Sequence, residues 1–518
     1  MFIKLLLLIA FFAVMTGTGL YFRKHNTNVD TFVLGGRAIG PWLTAFAYGT
    51  SYFSAVVFVG YAGQFGWKFG ISAVWIGIGN ALVGSLLAWV VLGRRTRVMT
   101  RHLGSSTMPE FFGARFGSKA IKIGASAITF IFLIPYTASL YNGLSRLFAM
   151  AFGVDFTFCI AVMALLTGVY VIAGGYVATA VNDFIQGLIM LGGIIATAAA
   201  VLGANGGFAL SLDALARVTD AAVSETPGVF ASFFGPDPFN LLGVVLLTSI
   251  GTWGLPQMVQ KFYAIKSEDS IGKGTVISTF FALVVAGGSY FLGGFGRLFS
   301  GRIDVAAEGF DAVIPAMLSG FSPLLIGIVV MLVLSASMST LSALVMASAT
   351  TFTLDFLKGG VVKNMDEQRQ LLVIRVLIAV FILISSIIAV IQYKGGISFI
   401  AQLMGISWGA LAGAFLAPFL YGLYWRGTTP ASVWTCFLFS TLLMIANIFF
   451  RDGFPVPLRS PINAGAFTML AGLVLVPLVS LLTRAPEARM LDETFSCYEK
   501  PVTVRAQESL GSGNGAAS

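Results

Sequence analysis

Two apolar stretches of this sequence are interrupted by residue types that an inert membrane anchor does not need. In Ala45-Phe-Ala-Tyr-Gly49-Thr50-Ser51-Tyr52-Phe53-Ser54 the centre of a hydrophobic run is small and hydroxylated, with a glycine that can leave helical geometry. In Thr248-Ser-Ile-Gly251-Thr252-Trp253-Gly254-Leu-Pro256 a second run holds two glycines and a proline, which removes one helical hydrogen bond. Unwound backbone at bilayer depth is tolerated only where it lines a cavity or is buried in protein, so each break reads either as a packing kink or as the wall of a site. A third run carries Ser335, Ser339 and Ser342, whose spacing places them near one helical face. Hydroxyls beside carbonyls freed by an unwound helix form the neutral oxygen shell that replaces the water of a hard monovalent cation. The same residue types also serve as hydrogen-bonding contacts between membrane helices. Asp183, at the start of another run, either caps a helix or marks an ion path.

The composition says what kind of scaffold must position these groups. Of 518 residues 57% are hydrophobic and 10% charged, against about 25% charged in a soluble domain. A mean hydropathy of +0.89 and 60 glycines fit one polytopic helical bundle and exclude an ordinary soluble enzyme. The net charge of +9 then reflects loop placement rather than an affinity for nucleic acid. Cysteines at 159, 436 and 497 and histidines at 25 and 102 are too scattered for a metal site or a disulfide framework. Gly174-Gly175 and the other glycine pairs lack the Gly-Lys-Ser/Thr ending of a phosphate loop, and no nucleophile stands beside a base. Neither an enzyme nor an organic cofactor is expected.

Apolar runs long enough to cross a bilayer lie near 2 to 22, 41 to 65, 71 to 93, 121 to 147, 155 to 175, 183 to 203, 239 to 260, 274 to 296, 322 to 353, 370 to 392, 398 to 424, 430 to 450 and 464 to 483. They predict an all-α protein with about thirteen transmembrane helices, one domain over 1–483, and a tail over 484–518 whose Gly/Ser/Ala-rich end is disordered. The first run is followed by Arg23, Lys24 and His25 rather than a small-residue cleavage site, which predicts a retained span. With the N-terminus outside, inside segments hold about 22 of the 31 Lys and Arg, among them Arg94, Arg95, Arg97, Arg101, Arg115, Lys261, Lys266 and Lys273. That bias predicts a multi-pass cytoplasmic-membrane protein with its C-terminus inside. The two breaks fall in the second and seventh runs, five apart, and paired discontinuous helices at matching positions point to an inverted-repeat transporter with a midplane site.

At this point the sequence resembles the sodium:solute symporter family, close to its bacterial sodium/proline and pantothenate branches. The motifs are Phe32-Val-Leu-Gly-Gly-Arg37-Ala-Ile-Gly-Pro41, Met108-Pro109-Glu110-Phe111-Phe112, Gly174-Gly175 leading to Asp183 and Gln186, Ser337-Met-Ser-Thr340-Leu-Ser342, and Gly422-Leu-Tyr-Trp425-Arg426. Each is weak alone; their order over Phe32 to Arg426 is specific. The resemblance implies the leucine-transporter type of fold, a five-plus-five inverted repeat with core repeats over about 40–203 and 239–424. It also implies a main sodium site made by Thr50, Phe53, Ala336, Ser339 and Thr340, and a second sodium site or exit path through Ser339, Ser342 and Asp183.

The implied function is sodium-coupled uptake of a small organic solute by alternating access, an amino acid such as proline or a small carboxylate. Na⁺ and the lipid bilayer are its other partners, and no nucleic acid is. Substrate-binding candidates are Ser51, Tyr52, Ser54, Tyr136, Thr248, Thr252, Trp253 and Pro256, with Gln64, Tyr141 and Trp408 behind them. Two departures qualify the transfer. Tyr52 stands where proline-type relatives have an aspartate, which weakens proline specificity. Ala343 replaces a hydroxyl of the second sodium site in some relatives, which favours one sodium. Alternatives are a proton-coupled carrier, a cargo such as pantothenate, a monocarboxylate or a sugar, and, from another class, a channel or a transport-derived receptor.

Overall fold

Because hydrocarbon cannot satisfy peptide groups, each long apolar run closes its own hydrogen bonds as a helix. A computed structural model describes residues 2–23, 28–224, 226–362, 365–394 and 400–499; the expected disorder at 511–518 falls outside them. Among the described residues there is no strand, only two isolated bridges. The main helices are α1 (Phe2–Phe22), α2 (Pro41–Tyr52), α3 (Val56–His102), α4 (Lys119–Phe152), α5 (Phe156–Ala204), α6 (Pro238–Ile250) and α7 (Pro256–Ala264). They continue with α8 (Asp269–Gly293), α9 (Pro323–Lys358), α10 (Glu367–Lys394), α11 (Ile400–Tyr424), α12 (Pro430–Phe449), α13 (Pro461–Leu482) and the short α14 (Ala488–Phe495).

Ten of these helices are long and apolar enough to span a membrane, or eleven when the bent pair around Leu255 is taken as one span. At 47 and 49 residues, α3 and α5 would each be roughly 70 Å long, against a hydrocarbon core of about 30 Å. Each therefore has to turn. Gly70 (φ 64°) and Gly175 (φ 58°, ψ −164°) supply positive-φ turns that a side chain resists. A Cβ on Gly70 would also strike the Phe230 backbone.

The centre of the bundle is α9, buried without interruption from Leu332 to Thr351 and packed against α5, α4, α10, α1 and α2. Its Ser, Ala and Thr side chains let neighbouring backbones approach closely, the usual basis of helix association in lipid. To one side α12 and α13 pack on α11, where Thr468 donates to Gly409 O at 2.9 Å and a Cβ on Gly409 would stand 2.7 Å from Gly465 Cα.

Candidate functional site

The first break lies four residues beyond the glycine expected to cause it. Gly49 is helical and its carbonyl accepts the Phe53 amide at 3.1 Å; a Cβ there would run into the Phe281 ring, so this glycine serves close packing on α8. Phe53 itself is extended (φ −99°, ψ 118°). The amides of Val57 and Phe58 both turn to Ser54 O at 3.0 Å, which takes from Phe53 O its normal helical partner. Thr50 O belongs to the last turn of α2, where carbonyls lose their intrahelical donors.

Two hydroxyls of α9 face this opening. Ser339 Oγ lies 3.1 Å from both Thr50 O and Ala336 O. Thr340 Oγ1 lies 3.2 Å from Thr50 O, 3.4 Å from Phe53 O and 3.0 Å from Ala336 O. All five positions implied by the resemblance thus converge. Each hydroxyl carries one proton and two lone pairs, so five oxygens share two protons, and the cluster has an excess of acceptors. Every member is neutral and buried. Ser335 Oγ, also on α9, is buried without a hydrogen-bond partner among the described residues.

The second break joins α6 to α7 at a 46° bend. Gly251–Gly254 tightens into a 3₁₀ turn, Leu255 is extended (φ −87°, ψ 122°), and Pro256 opens α7 at a first-turn position, where its missing amide removes nothing. Gly254 is required because a Cβ would stand 2.7 Å from Leu416 N of α11. The two breaks are tied by Tyr52, whose hydroxyl donates to Thr248 O at 2.8 Å and whose ring stacks on Trp408 at 6.0 Å. Tyr136 meets the other side of Trp408 edge-on at 6.0 Å. The Tyr136 hydroxyl neighbours Ser54 and Trp408, yet among the described residues Tyr136 Oη, Ser54 Oγ, Trp408 Nε1 and Ser51 Oγ are buried with no partner in hydrogen-bond geometry. An unmade bond at a buried polar atom costs about 1–3 kcal/mol, and such clusters call for a reason.

Not all substrate candidates join this group. Thr248 Oγ1 lies 2.9 Å from Asn80 Oδ1 and Thr252 Oγ1 3.0 Å from Gly84 O, tethering α6 to α3. Trp253 is only half-buried; its indole donates to Val83 O at 3.0 Å and it packs with Leu416, Cys436 and Val476. Pro256 shares a recess with Thr107, Gln260 and Thr351, apart from the aromatic cluster. Among the described residues Tyr141 Oη is buried without a partner in hydrogen-bond geometry, and Gln64 lines a cavity of about 480 Å³ with Lys68, Asp237, Asn240 and Asn463. Asn80, buried in α3, went unnoticed in the sequence because a lone asparagine in an apolar run carries no periodic signal.

Asp183 stands against Lys261 Nζ at 3.8 Å, while Ser342 Oγ turns to Ser339 O at 2.8 Å. Ser342 and Asp183 are therefore oriented to different partners. Lys261, expected in a basic loop, lies inside α7 with its side chain 4% exposed and its ammonium 5.1 Å from the Tyr176 ring centre. Nearby, Ile39 N donates to Ala264 O at 3.2 Å and Lys266 N to Ile39 O at 3.0 Å. Arg97 clamps Ile265 O at 2.8 Å and also reaches Lys266 O, so the segment before α2 and the segment after α7 are laced together. Arg115, fully buried, holds Gly422 O and Trp425 O at 2.9 and 3.1 Å. Both arginines counted as loop charges are carbonyl clamps. Away from the spans, Arg297 Nη1 pairs with Asp220 at 2.9 Å, and that hydrogen bond holds the Asp220 carboxyl below its ordinary range.

Residues 32–437 match the model of the sodium:solute symporter family. The sodium/proline symporter of Staphylococcus aureus (strain JH9) is 28% identical over 452 residues, covering 86% of this chain and 85% of that protein. Among solved structures, a Na⁺-coupled sialic acid symporter in a substrate-bound outward-open state superposes with a TM-score of 0.75 at 16% identity, over 94% of this chain and 99% of that one. Mhp1, a nucleobase-cation-symport-1 family transporter in a closed conformation with bromovinylhydantoin bound, gives 0.50 at 13% identity, over 89% and 97%. The chain belongs to the sodium:solute symporter family. It is a multi-pass membrane carrier for sodium-coupled solute uptake, with the fold of leucine-transporter type carriers, and not an enzyme.

Proposed function

We propose that Na⁺ is held by the carbonyls of Thr50, Phe53 and Ala336 and the hydroxyls of Ser339 and Thr340, and that the cargo is a small amino acid or carboxylate. The observation that carries this is the convergence of two α9 hydroxyls on carbonyls released by the α2 break. An arriving cation takes the shared lone pairs while the hydroxyl protons turn outward, which needs no carboxylate. Neutral oxygens suit a monovalent ion, and among the described residues no three His, Cys, Asp or Glu gather as a divalent site would require.

The solute lies beside Tyr52, Ser54, Tyr136 and Trp408, where four buried polar atoms have no partner in hydrogen-bond geometry among the described residues and two rings offer apolar walls. An amino acid such as proline fits the name of the Staphylococcus relative, and Tyr52 supplies a hydroxyl rather than a charge to the solute. The Gln64 cavity is the outer approach, and the clamps of Ile39, Arg97 and Lys261 close the inner side. Joining α6 with α7 and dividing α3 and α5 at Gly70 and Gly175 yields thirteen spans with the N-terminus outside and the tail from 484 inside. Repeats over about 40–203 and 239–424 then form the core.

Sodium drives this cycle because its site is shared by two helices that separate on rocking, and a ligand shifts only an equilibrium whose states it binds unequally. A 100 mV potential contributes about 2.3 kcal/mol per charge and a tenfold sodium gradient about 1.4 kcal/mol, so one ion sustains a roughly 500-fold solute gradient. The test is radiolabelled uptake into proteoliposomes across a panel of amino acids and carboxylates, under a sodium gradient and then a proton gradient. Uptake driven equally by protons alone overturns the assignment of the ion; failure of every amino acid and carboxylate overturns the cargo.

A further inference from the structure

The first half of α5 and the length of α10 enclose a groove of about 960 Å³ that the transport cycle does not use. Its walls are aliphatic, including Ala164, Gly168, Ile172 and Ala379, with Thr157 and Ser386 the only uncharged polar residues lining it among those described. Leu165, Leu383 and Ile391 are exposed along it, so it opens toward lipid rather than into the bundle. From Arg375 to Ile391 it runs about 24 Å along α10, well beyond the roughly 15 Å of one hydrocarbon leaflet. The far end is closed by Phe156 stacked on Tyr393 at 3.7 Å between centroids.

The near end is basic. Arg23, immediately after α1, and Arg375, two turns into α10, both line it, and among the described residues no acidic one does. Their common level follows from the packing: a Cβ on Gly168 would lie 3.6 Å from Ile382, and Gly174 lies against Gly19. Antiparallel to α5, α10 therefore brings residue 375 to the level of 175, just where α1 ends. The Arg375 guanidinium covers the Phe32 ring at 5.5 Å, and its Nε is buried without a hydrogen-bond partner among the described residues. A long aliphatic trough with two guanidiniums at an interfacial end suits an acyl chain with an anionic headgroup: arginine pairs with phosphate or carboxylate oxygens in a bidentate manner, and basic pockets between spans select phospholipids of net negative charge.

We propose that this groove is a binding site for an anionic glycerophospholipid, its phosphate on Arg23 and Arg375 and one acyl chain along α5 and α10. The proposal is independent of the sodium and solute assignments. It is tested on the purified full chain by native mass spectrometry after exchange into mixed micelles of phosphatidylglycerol and phosphatidylcholine. Phosphatidylglycerol is expected to be retained roughly 30-fold over phosphatidylcholine, the discrimination two arginines supply at an anionic headgroup. Arg23→Gln with Arg375→Gln abolishes the preference while sodium-driven uptake shows the protein folded, and Arg375→Lys keeps most of it. Gly168→Leu, whose Cβ meets only an ordinary contact, fills the trough and lowers retention of both lipids. Equal retention of the two lipids by the native chain, or an unchanged preference in the double glutamine variant, overturns the proposal. Displacement of the lipid by glycerol 3-phosphate at equal concentration overturns it too, showing an anion site that needs no chain.

Discussion

Thr340→Ala is the sharpest perturbation of the proposed cation site. It removes the oxygen that lies within 3.0–3.4 Å of three carbonyls, and it leaves Phe53 O, already stripped of its helical donor, without a hydroxyl facing it. Ser339 still reaches Thr50 O at 3.1 Å, so the break keeps one tie to α9 and the fold persists. A hydrogen-bonding group acting on a charge contributes about 1.5–3 kcal/mol, which raises the sodium concentration for half-maximal uptake roughly 10- to 150-fold. Thr340→Ser retains the oxygen and should stay within a few-fold of native. The assay is initial uptake against sodium concentration in proteoliposomes, with sodium-dependent thermal stabilisation of the detergent-solubilised protein as a binding readout free of transport. If the alanine variant keeps a native sodium midpoint in both measurements, or serine fails as badly as alanine, the oxygen at position 340 is no ligand.

Ser339→Ala should raise the sodium midpoint in the same assay, with less effect on solute KM at saturating sodium. Tyr52→Phe removes the bond to Thr248 O; a neutral hydrogen bond of about 0.5–1.5 kcal/mol predicts a 2- to 12-fold higher solute KM, measured at saturating sodium, whereas an unchanged KM would place the cargo elsewhere. Removing one partner of the buried Asp183–Lys261 pair, as in Lys261→Met, strands the other charge and should cost about 3–5 kcal/mol; Asp183→Asn with Lys261→Met should recover most of that in thermal unfolding, and no recovery would show that the two charges are not coupled. For Asp220 the folded carboxyl titrates below its ordinary value. Its contribution is therefore fully present above about pH 4 and disappears as pH falls through the folded value. Asp220→Asn should lower stability by under about 1 kcal/mol at pH 7 and by nothing once the native carboxyl is protonated.

Hydrophobic runs made the helices legible because lipid leaves a peptide no alternative, and breaks announced themselves through glycine, proline and hydroxyl side chains. Where the chain opens was less legible. Gly49 looked like the hinge, yet Phe53 is the residue that leaves the helix, and Gly49 answers to the Phe281 ring across the interface. Sequence shows that a glycine is required without showing whether φ or a neighbour requires it. Charge misled in a related way. Lys261, Arg97 and Arg115 were counted as solvated positive charge, but tertiary contacts bury them against a carboxylate and four carbonyls, partners distant in the chain.

The same contacts explain how one ion can govern a movement of many residues. Thr50 and Phe53 are held to α9 through the Ser339 and Thr340 hydroxyls, Tyr52 between them is held to α6 through Thr248 O, and its ring stacks on Trp408, where the solute is proposed to lie. The carbonyls of Thr50 and Phe53 at the end of α2 thus face α9, while the side chain of Tyr52 faces α6 and Trp408. The extended backbone at Phe53 is what leaves these carbonyls open; in a continuous helix they would be spent on amides one turn on. On the proposed site, loss of sodium should free α2 from α9 and displace Tyr52 in the same motion, so that occupancy of the ion and retention of the solute are expected to rise and fall together. A solute that binds equally well with and without sodium would contradict this linkage.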